Sequence, residues 1–529
     1  MRRKGVFDIV DAGSAMLKAA RIRVGERGTR FLSRGLSSLA RSCEDDSVAL
    51  EEALALDIHL TVPGESTPAR SLSGDPMEGA PLALASSMHG SMYVPVLGWK
   101  GAVAERAAAR ALRGSGAVVS AVVSPETRWI PPVSPPDCVF CVGPPGEAAG
   151  PGDFDPRWFV DCIEMMPPAP VLYSGGVGGL GILKGALGDR VTHLRDDGSP
   201  LVFAGILGRL HTRRAERAVA RYIASRGSGG PLPPSTRVVP AAAAMECALV
   251  SLAGQGPDRV VFVDAGSSST AICEASGSGF SLAVAGGAGT GLGVAGALER
   301  IPSGQRVPSL LDWCANRRSR PWIVPESPAE REAEDLVLRA CVRRAVEERG
   351  VPLRPFSPGL SGFVILAGGL RQYGQPQHGQ FQHRQQAFSD VARLLGELKP
   401  VGVFRAAVDQ WDSVMQLGAL RACFAACPAV DTASLVSLGT FLAPVADGLG
   451  SRDNGAPCVR LEIEGIGRTV VEWGSLIAIS LSAGEKAVVR IVPASGVDVG
   501  EGPGKPAVAE VAGGVLGFVV DARGNTLDS

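Results

Sequence analysis

A five-residue sequence, Val-Asp-Ala-Gly-Ser, occurs twice in the chain, at Val10–Ser14 and again at Val263–Ser267. Each copy follows an apolar, β-rich run and precedes a second run of the strand type. This pattern predicts two β-hairpins, each with an Asp-x-Gly-Ser turn, one in each half of the chain. Because the surrounding pattern is the same in both places, the repeat also indicates a duplicated domain.

The residues in these turns are of the types that bind phosphate. A glycine lets the backbone approach a phosphate because it has no Cβ, and successive N–H groups form an anion-binding nest. The hydroxyl groups of Ser14 and of residues 267–270 can donate to phosphate oxygens. Asp11 and Asp264, at the strand ends, can hold the water shell of Mg²⁺. Two such hairpins facing each other across a cleft would bind the phosphate chain of one nucleotide.

Ordinary turn chemistry is the alternative explanation of each hairpin, since Asp-Gly is common in tight turns. For either hairpin alone, the turn explanation is favoured. A third feature shifts the balance: the apolar run Ile365–Ala367 enters Gly368-Gly369, where a backbone can lie against a flat base or ribose. That feature alone is also consistent with a strand-to-helix turn. The two hairpins and the double glycine together favour a nucleotide site.

Three other motifs receive structural interpretations. The glycines of Gly286–Gly293 have a dinucleotide-like spacing but no convincing βαβ context, so we interpret them as a flexible loop beside the second hairpin. Cys138 and Cys141 form a single C-x-x-C motif, and no second such motif follows. This favours two buried structural cysteines over a structural zinc site. The polar segment Arg371–Gln386 is rich in Gln and His and is interpreted as a mobile insertion.

The elements that must position these motifs alternate between strands and helices, which predicts an α/β sheet covered by helices. A capping box at Ser327 opens a helix that ends at Gly350, and Asp409 is expected to cap a helix running through Ala426. From Ser434 onward, short alternating strands indicate a β-rich C-terminal domain. The other expected elements are strands at Leu82–Ala85, Ala117–Val123, Cys138–Val142 and Pro170–Tyr173, and helices at Val103–Arg113 and Arg213–Ser225.

Composition restricts the class of protein. The 529 residues are 45% apolar and 20% charged, which is typical of a globular chain of two to four domains. A net charge of −1 excludes a global basic field for nucleic acid or anionic membrane. Eleven cysteines, an odd number spread over a long chain, do not suit a secreted disulfide framework, and the N-terminus does not resemble a signal peptide. The apolar stretch Val238–Ala253 is short for a membrane span and contains the charged residue Glu246. We therefore expect a soluble cytoplasmic protein.

The order hairpin, hairpin, Gly-Gly resembles the actin/hexokinase/Hsp70-type ATPase superfamily. Within it, the chain is most similar to the glutamate mutase accessory family (GlmL, also called MutL, unrelated to the mismatch-repair protein). The similarity extends over nearly the whole chain, and the C-terminal motifs are its most specific part. The segments that carry it are Leu84–Ser87, Gly90, Leu97-Gly98, Val171–Gly176, Leu398–Val403, Asp409, Leu417–Leu420, Asp498–Gly504, Gly513-Gly514 and Asp521–Gly524.

The resemblance implies two duplicated actin-like (ribonuclease H-like) subdomains, at 1–235 and 236–433, and a β-rich domain at 434–529. It implies ATP and Mg²⁺ as cofactors, with Asp11 and Asp264 at the metal. It also implies that the chain assists or reactivates an adenosylcobalamin-dependent mutase, such as glutamate mutase or an aminomutase, and binds its subunits. The implied nucleotide-binding residues are Asp11, Gly13, Ser14, Lys18, Asp264, Gly266, Ser267, Ser268, Gly368 and Gly369.

The chain departs from the family pattern at positions that matter for hydrolysis. In the first hairpin, Ala15 and Leu17 replace hydroxyl residues, although Lys18 remains. In the second, Ala271 replaces an acid, and Thr290 stands where many relatives have another acid. Loss of hydroxyl donors and a carboxylate removes phosphate contacts and water positioning. Three functions stay open: a weak ATPase that reactivates a mutase, a scaffold without turnover, and a small-molecule kinase with no identifiable catalytic Asp.

Overall fold

The structure of the chain is a computed structural model. It describes residues 5–12, 16–25, 28–38, 82–86, 92–104, 117–127, 129, 131, 136–144, 154–194, 236–277, 279–321, 323–359, 362–374, 381–424, 434–446 and 454–524. The expected helix Arg213–Ser225 and most of the expected helix Val103–Arg113 lie outside these ranges. The fold is mixed α/β, with parallel and antiparallel strand pairs.

The strands are numbered in chain order. They are β1 (Gly5–Ala12), β2 (Met16–Gly25), β3 (Gly28–Ser38), β4 (Leu82–Ser86), β5 (Met92–Gly98), β6 (Ala117–Val123), β7 (Val139–Val142), β8 (Val171–Ser174), β9 (Val191–Leu194), β10 (Arg237–Pro240), β11 (Arg259–Ala265), β12 (Ser269–Ser276), β13 (Gly279–Gly286), β14 (Gly362–Gly368), β15 (Gly402–Val408), β16 (Val436–Ala443), β17 (Val445–Ala446), β18 (Pro457–Ile463), β19 (Gly467–Glu472), β20 (Leu476–Ile479), β21 (Lys486–Pro493), β22 (Val497–Asp498), β23 (Ala507–Ala512) and β24 (Phe518–Asp521).

The α-helices are numbered in the same way. They are α1 (Arg157–Glu164), α2 (Val177–Leu187), α3 (Ala241–Ala253), α4 (Val294–Leu298), α5 (Pro308–Ser319), α6 (Pro328–Arg349), α7 (Phe381–Leu398) and α8 (Ser413–Cys423). Among the described helices, none combines the length and the apolar character that a bilayer-spanning segment needs.

The chain divides into two compact units, of which the first comprises residues 1–85, 226–237 and 244–529. In this unit, β4, β1, β2 and β3 are neighbours in that order. An eight-stranded sheet has the order β13-β12-β11-β14-β15-β16-β24-β20, and a separate four-stranded sheet has the order β19-β18-β21-β23. The segment after residue 434 thus contributes strands to both of these sheets. The domain boundaries at 235/236 and 433/434 stay predictions.

The centre of the eight-stranded sheet is formed by β11, β14 and β15, which run parallel to one another. Their sequences are continuous apolar runs, as is typical of parallel strands that are covered on both faces. Val263 of β11 and Leu366 of β14 are fully buried, and both belong to a core that also includes Leu338 of α6. This buried sheet fixes the positions at which β11 and β14 end.

Helix α6 confirms the predicted capping box. The Ser327 side chain accepts a hydrogen bond from the Glu330 amide, and the Glu330 carboxylate accepts one from the Ser327 amide. Gly350 ends the helix in the left-handed conformation, with φ +68°. The helix packs against β12, which belongs to the second hairpin, and against β13, the strand next to it.

Two sequence-based predictions about helices are wrong in detail. The helix predicted from Asp409 through Ala426 begins at Ser413 and ends at Cys423. Asp409 follows β15 directly, and its side chain accepts hydrogen bonds from the first helix amides. The segment 381–386, interpreted as part of a mobile insertion, forms the start of α7, whose later residues Val391, Leu394 and Leu395 are buried in the core and anchor the helix.

The second unit comprises residues 86–225 and 238–243. Its five parallel strands have the order β6-β5-β7-β8-β9, and the strands predicted at Ala117–Val123, Cys138–Val142 and Pro170–Tyr173 are present. Cys138 and Cys141 are buried free thiols, as the sequence predicted. Burial raises the pKa of the Cys138 thiol to about 12, which leaves it unreactive at neutral pH.

Candidate functional site

The first Asp-x-Gly-Ser hairpin is formed by β1 and β2, which pair antiparallel as predicted. The register places Lys18 directly opposite Asp11. Because directly opposite residues project on the same face of a sheet, their side chains can meet. Gly13 and Ser14, both predicted to bind nucleotide, lie outside the described residues.

The second hairpin, β11 and β12, is also antiparallel and places Ala271 opposite Asp264. On its other side, β11 pairs in parallel with β14, so that Gly368 stands beside Ala265. Gly368 has a φ of +66°, and a Cβ at this position would overlap the Asp264 carboxylate. The double glycine therefore lets β14 end against the aspartate of the second hairpin.

The structure brings the two hairpins together around the Lys18 ammonium. Lys18 Nζ lies 3.4 Å from Asp11 Oδ2 and 2.9 Å from Asp412 Oδ1, and Asp264 is close enough to interact with it electrostatically. We call Asp11, Lys18, Asp264 and Asp412 the acid–lysine cluster. Its four residues come from β1, β2, β11 and the turn before α8, and all of them belong to the first unit.

Burial and mutual repulsion determine the charge state of this cluster. Burial raises the pKa of Asp264 to about 6, with Lys18 acting in the opposite direction and Asp412 and Asp11 adding to the rise. Burial also raises the pKa of Asp11, which Lys18 opposes. Burial alone would lower the pKa of Lys18, but the carboxylates of Asp412, Asp11 and Asp264 raise it overall. Lys18 therefore stays charged, and the carboxylates outnumber it.

Asp409 and Asp412 stand together before α8 but make different contacts. Asp409 is fully buried, and its two carboxylate oxygens accept hydrogen bonds of 2.7 Å from the Ser413 and Val414 amides. Burial and the neighbouring Asp412 raise the pKa of Asp409. Asp412 is the residue next to the helix, yet its side chain makes no capping bond. The predicted capping role of Asp409 is thus correct in its chemistry, although the helix starts later.

Packing of α8 against β1 brings Asp412 to the first hairpin. Helix α8 contacts β1, and just after its end the ring of Phe424 lies 5.2 Å from that of Phe7. Sequence reasoning missed Asp412. The available signal was a second aspartate three residues after Asp409, between a buried strand and a helix.

The glycine-rich loop lies on the turn of the second hairpin, as predicted. The Thr290 amide donates to the Gly266 carbonyl at 3.0 Å, and the Gly291 and Gly293 amides donate to the Ser267 carbonyl. A Cβ on Gly293 would overlap the Ser268 carbonyl. The loop amides are therefore used to hold the turn.

Arg317 of α5 anchors that loop from behind. It is buried, and it donates to the Thr290 carbonyl at 2.9 Å and to the Thr290 hydroxyl at 3.0 Å. It also contacts Glu334 at 3.3 Å, and Glu334 accepts a further hydrogen bond of 2.8 Å from the Trp313 indole. Since Thr290 binds the turn through its amide, Arg317 fixes the second hairpin indirectly.

The hydroxyl groups of the second hairpin are less available than the sequence indicated. Thr270 is fully buried and donates its hydroxyl to the Ala288 carbonyl at 2.9 Å, so the expectation that it contacts phosphate is wrong. Ser267 Oγ accepts a 3.2 Å bond from the Leu292 amide, which leaves its proton free to donate. Ser267 and Ser268 are half-buried, and Gly369 packs near Thr290 and Leu338.

The acid–lysine cluster fits a hydrated magnesium ion better than a directly bound one. Among the described residues, no three acidic, cysteine or histidine side chains are arranged to hold a metal. However, the carboxylates of Asp11 and Asp412 contact one ammonium and Asp264 interacts with it electrostatically, and Asp412 Oδ2 is buried without a hydrogen-bond partner among the described residues. Mg²⁺ commonly keeps several of its waters and uses one or two carboxylates. Asp11 and Asp264 therefore suit contact with the water shell of such an ion.

The C-terminal motifs have structural roles. Asp498 accepts hydrogen bonds from the Gly500 and Gly502 amides at 2.7 and 2.9 Å, which closes a turn. The Arg523 side chain donates two hydrogen bonds to the Asp521 carboxylate, of 2.8 and 2.7 Å. A Cβ on Gly513 would overlap the Ser482 carbonyl. These residues shape the backbone of the tail and are separate from the acid–lysine cluster.

Comparison with known proteins gives similarity only to solved structures. No family model and no curated protein matches the chain. A nucleotide-free acetone carboxylase, from work on ATP-dependent acetone carboxylation, is 10% identical over 89% of this chain and 81% of that chain, with a TM-score of 0.30. A carbohydrate kinase from Novosphingobium aromaticivorans is 12% identical over 82% of this chain and 94% of its own, with a TM-score of 0.27. A xylulose kinase from Bifidobacterium adolescentis is 11% identical over 83% and 96%, also with a TM-score of 0.27. TM-scores this low carry no argument about the fold or the function of this chain.

Proposed function

We propose that the chain binds Mg·ATP at the acid–lysine cluster, with the two hairpins flanking the phosphate chain as in actin-like ATPases. The observation that carries the proposal is the convergence of Asp11 and Asp264, about half a chain apart in sequence, on one lysine. Ordinary turn chemistry explains each hairpin alone, but it gives no reason for both aspartates to interact with the same ammonium.

In this function, each element of the cluster has a distinct role. Lys18 contacts a phosphate oxygen, and Asp11 and Asp264 bind waters of the metal ion. In the second turn, Ser267 and Ser268 contact the phosphates, while Gly266, whose amide donates to the Ser269 carbonyl at 2.9 Å, allows a close approach of the backbone. In the first turn the same contacts are assigned to Gly13 and Ser14, which lie outside the described residues. Gly368 and Gly369 lie against the nucleoside. The Mg²⁺ ion, when bound, neutralises phosphate charge.

The equal register of the two hairpins supports the duplicated actin-like organisation. In both, the aspartate is followed by the same Ala-Gly-Ser sequence, and the residue opposite it occupies the equivalent position, Lys18 in one and Ala271 in the other. Duplication of one ancestral hairpin would produce this match. We also propose that residues 434–529 form a separate β-rich C-terminal domain.

The proposed biological role is that of an accessory or reactivating protein for an adenosylcobalamin-dependent mutase, with the mutase subunits as partners. This role is supported by the resemblance of the chain's motifs to the glutamate mutase accessory family. ATP binding would then control the contact with the mutase, and the alternation between nucleotide states would act as a switch.

A second candidate is a nucleotide-binding scaffold without turnover. It is favoured by the second hairpin, where Ala271 replaces an acid, Thr270 uses its hydroxyl internally and Thr290 is held by Arg317. The other described carboxylate of this hairpin, Glu274 on β12, is paired with Arg259 and Arg349, which leaves Asp264 to orient an attacking water. A small-molecule kinase on the same fold stays a third alternative.

Isothermal titration with Mg·ATP tests the binding proposal. We expect Asp11→Asn and Asp264→Asn each to weaken binding by about 10- to 100-fold, the range seen when groups around a metal are altered. Asp312→Asn is a matched control, because Asp312 is exposed on α5. Unchanged affinity in both cluster variants would reject the site.

Phosphate release distinguishes the candidates that bind nucleotide. Turnover above background in the presence of glutamate mutase or an aminomutase supports the reactivating role and excludes the scaffold. Binding without turnover, with or without the mutase, supports the scaffold. Phosphate transfer to a small hydroxylated acceptor would support the kinase.

A further inference from the structure

Asp412 occupies a conformation that is unfavourable for most residues. Its φ of +55° and ψ of +33° lie in the left-handed region, and besides Lys399 it is the only described non-glycine residue with a positive φ. Residues held in such conformations cluster at functional sites, where the surrounding structure supports the strain. A structural reason for the strain must therefore be considered first.

Helix capping is the usual structural reason for an aspartate at this position, and it does not apply. Asp412 is the N-cap residue of α8, but its side chain forms no capping hydrogen bond. Asp409 accepts the amides of Ser413 and Val414 instead. The helix end is thus satisfied without the Asp412 carboxylate.

The Asp412 carboxylate is also only partly satisfied where it lies. Its side chain is 2% exposed, and Oδ1 pairs with Lys18 at 2.9 Å. Oδ2 is buried and has no hydrogen-bond partner among the described residues. Lys18 is shared with Asp11, so this ion pair does not neutralise the local charge. A buried carboxylate oxygen without a partner is costly unless a ligand or water satisfies it.

We infer that Asp412 is a third acidic residue of the proposed Mg·ATP site, and that its Oδ2 binds a water of the magnesium shell. This inference rests on the proposed function and adds a residue to it. The cation would receive contacts from both hairpins and from the start of α8. The ion pair between Lys18 and Asp412 Oδ1 holds the Asp412 side chain in place and leaves Oδ2 for the water.

The test compares Asp412→Asn with Asp409→Asn. Asparagine tolerates the left-handed conformation, so the first variant keeps the backbone while removing the charge. We expect a Tm within about 2 °C of the wild type or higher, because one of three like charges is removed. We expect Mg·ATP binding to weaken by about 10- to 100-fold, and the Mg²⁺ concentration needed at fixed ATP to rise.

Asp409→Asn is the matched structural control, only three residues away. We expect its Tm to fall by roughly 2–6 °C, because an amide nitrogen replaces one oxygen that accepts a helix amide. Its magnesium requirement at fixed ATP should stay near that of the wild type. Asp412→Gly, which suits the same backbone conformation, repeats the measurement with no side chain.

The outcomes separate this inference from the function on which it rests. If the wild type binds no nucleotide, the proposed function and this inference both fail. If the wild type binds Mg·ATP and the two Asp412 variants match it in affinity and magnesium dependence, only the inference fails. A Tm loss in Asp412→Asn as large as that in Asp409→Asn, with unchanged binding, would assign Asp412 a structural role and overturn the inference.

Discussion

The two Asp-x-Gly-Ser hairpins share a sequence and a register but differ in what surrounds their aspartates. Lys18 stands opposite Asp11 in the first hairpin, whereas the buried Ala271 stands opposite Asp264 in the second. One ammonium therefore serves both hairpins. The second hairpin depends on the first for the compensation of its buried charge, which a comparison of the two pentapeptides alone does not show.

The hairpins also differ in how they are supported. The turn of the second is held by the amides of a glycine-rich loop, and that loop is anchored by Arg317 through Thr290. The first hairpin contributes the cation and packs against α8. We conclude that the first hairpin supplies charge and the second a rigid turn, and three variants test this division.

The largest effect is expected for Lys18→Met, which removes the shared charge while keeping most of the side-chain volume. The buried carboxylates of Asp11 and Asp412 and the half-buried one of Asp264 would lose their counter-ion, and loss of one partner of a buried pair costs about 3–5 kcal/mol. We expect a fall of this size in the free energy of unfolding at pH 8. Urea unfolding measures it, with Lys486→Met as the control, because Lys486 pairs with Glu510 in an exposed position. A loss no greater than that of the control would mean that the hairpins do not depend on this lysine.

A smaller loss is expected for Arg317→Ala, which releases the glycine-rich loop. Removal of the guanidinium takes the cationic partner from the buried Glu334, which keeps its hydrogen bond from the Trp313 indole, and should cost about 2–4 kcal/mol. Hydrogen exchange at the amides of Thr290, Gly291 and Gly293 should become faster. Arg318→Ala is the control, since Arg318 is exposed on the same helix. Unchanged exchange at these amides would show that the loop holds the second turn without Arg317.

The smallest effect, and one of opposite sign, is expected for Asp264→Asn. Burial raises the pKa of Asp264 to about 6 from 3.8, so the folded chain retains this proton over a pH range in which the unfolded chain has released it. The free energy of unfolding of the wild type therefore falls as pH rises from about 4 to about 6, by at most about 3 kcal/mol. Without nucleotide, the Asp264→Asn variant should be more stable than the wild type at pH 7–8. This difference in the free energy of unfolding should vanish near pH 4. Melting curves across this range measure it. A variant less stable than the wild type at pH 8 would show that Lys18 fully compensates Asp264.

Much of the local structure follows from sequence patterns. The two hairpins, the capping box at Ser327, the strand entering Gly368 and the buried Cys138 and Cys141 all depend on neighbours in the chain. The start of α8 was predicted too early, because Asp409 caps it from four residues before its first residue. The expectation for Thr270 was wrong because its hydroxyl donates to the Ala288 carbonyl, which lies in the glycine-rich loop after β13 and not in the hairpin itself.

The sequence by itself determined which residues form the turns, because Asp, Gly and Ser favour such turns wherever they occur between strands. It also determined that the central strands are buried, because their apolar runs must leave water. Only the tertiary structure decided that Asp11, Lys18, Asp264 and Asp412 meet. Their convergence depends on the order of strands in the sheets and on the packing of α8 against β1, and long-range packing of this kind leaves no local signal in the chain.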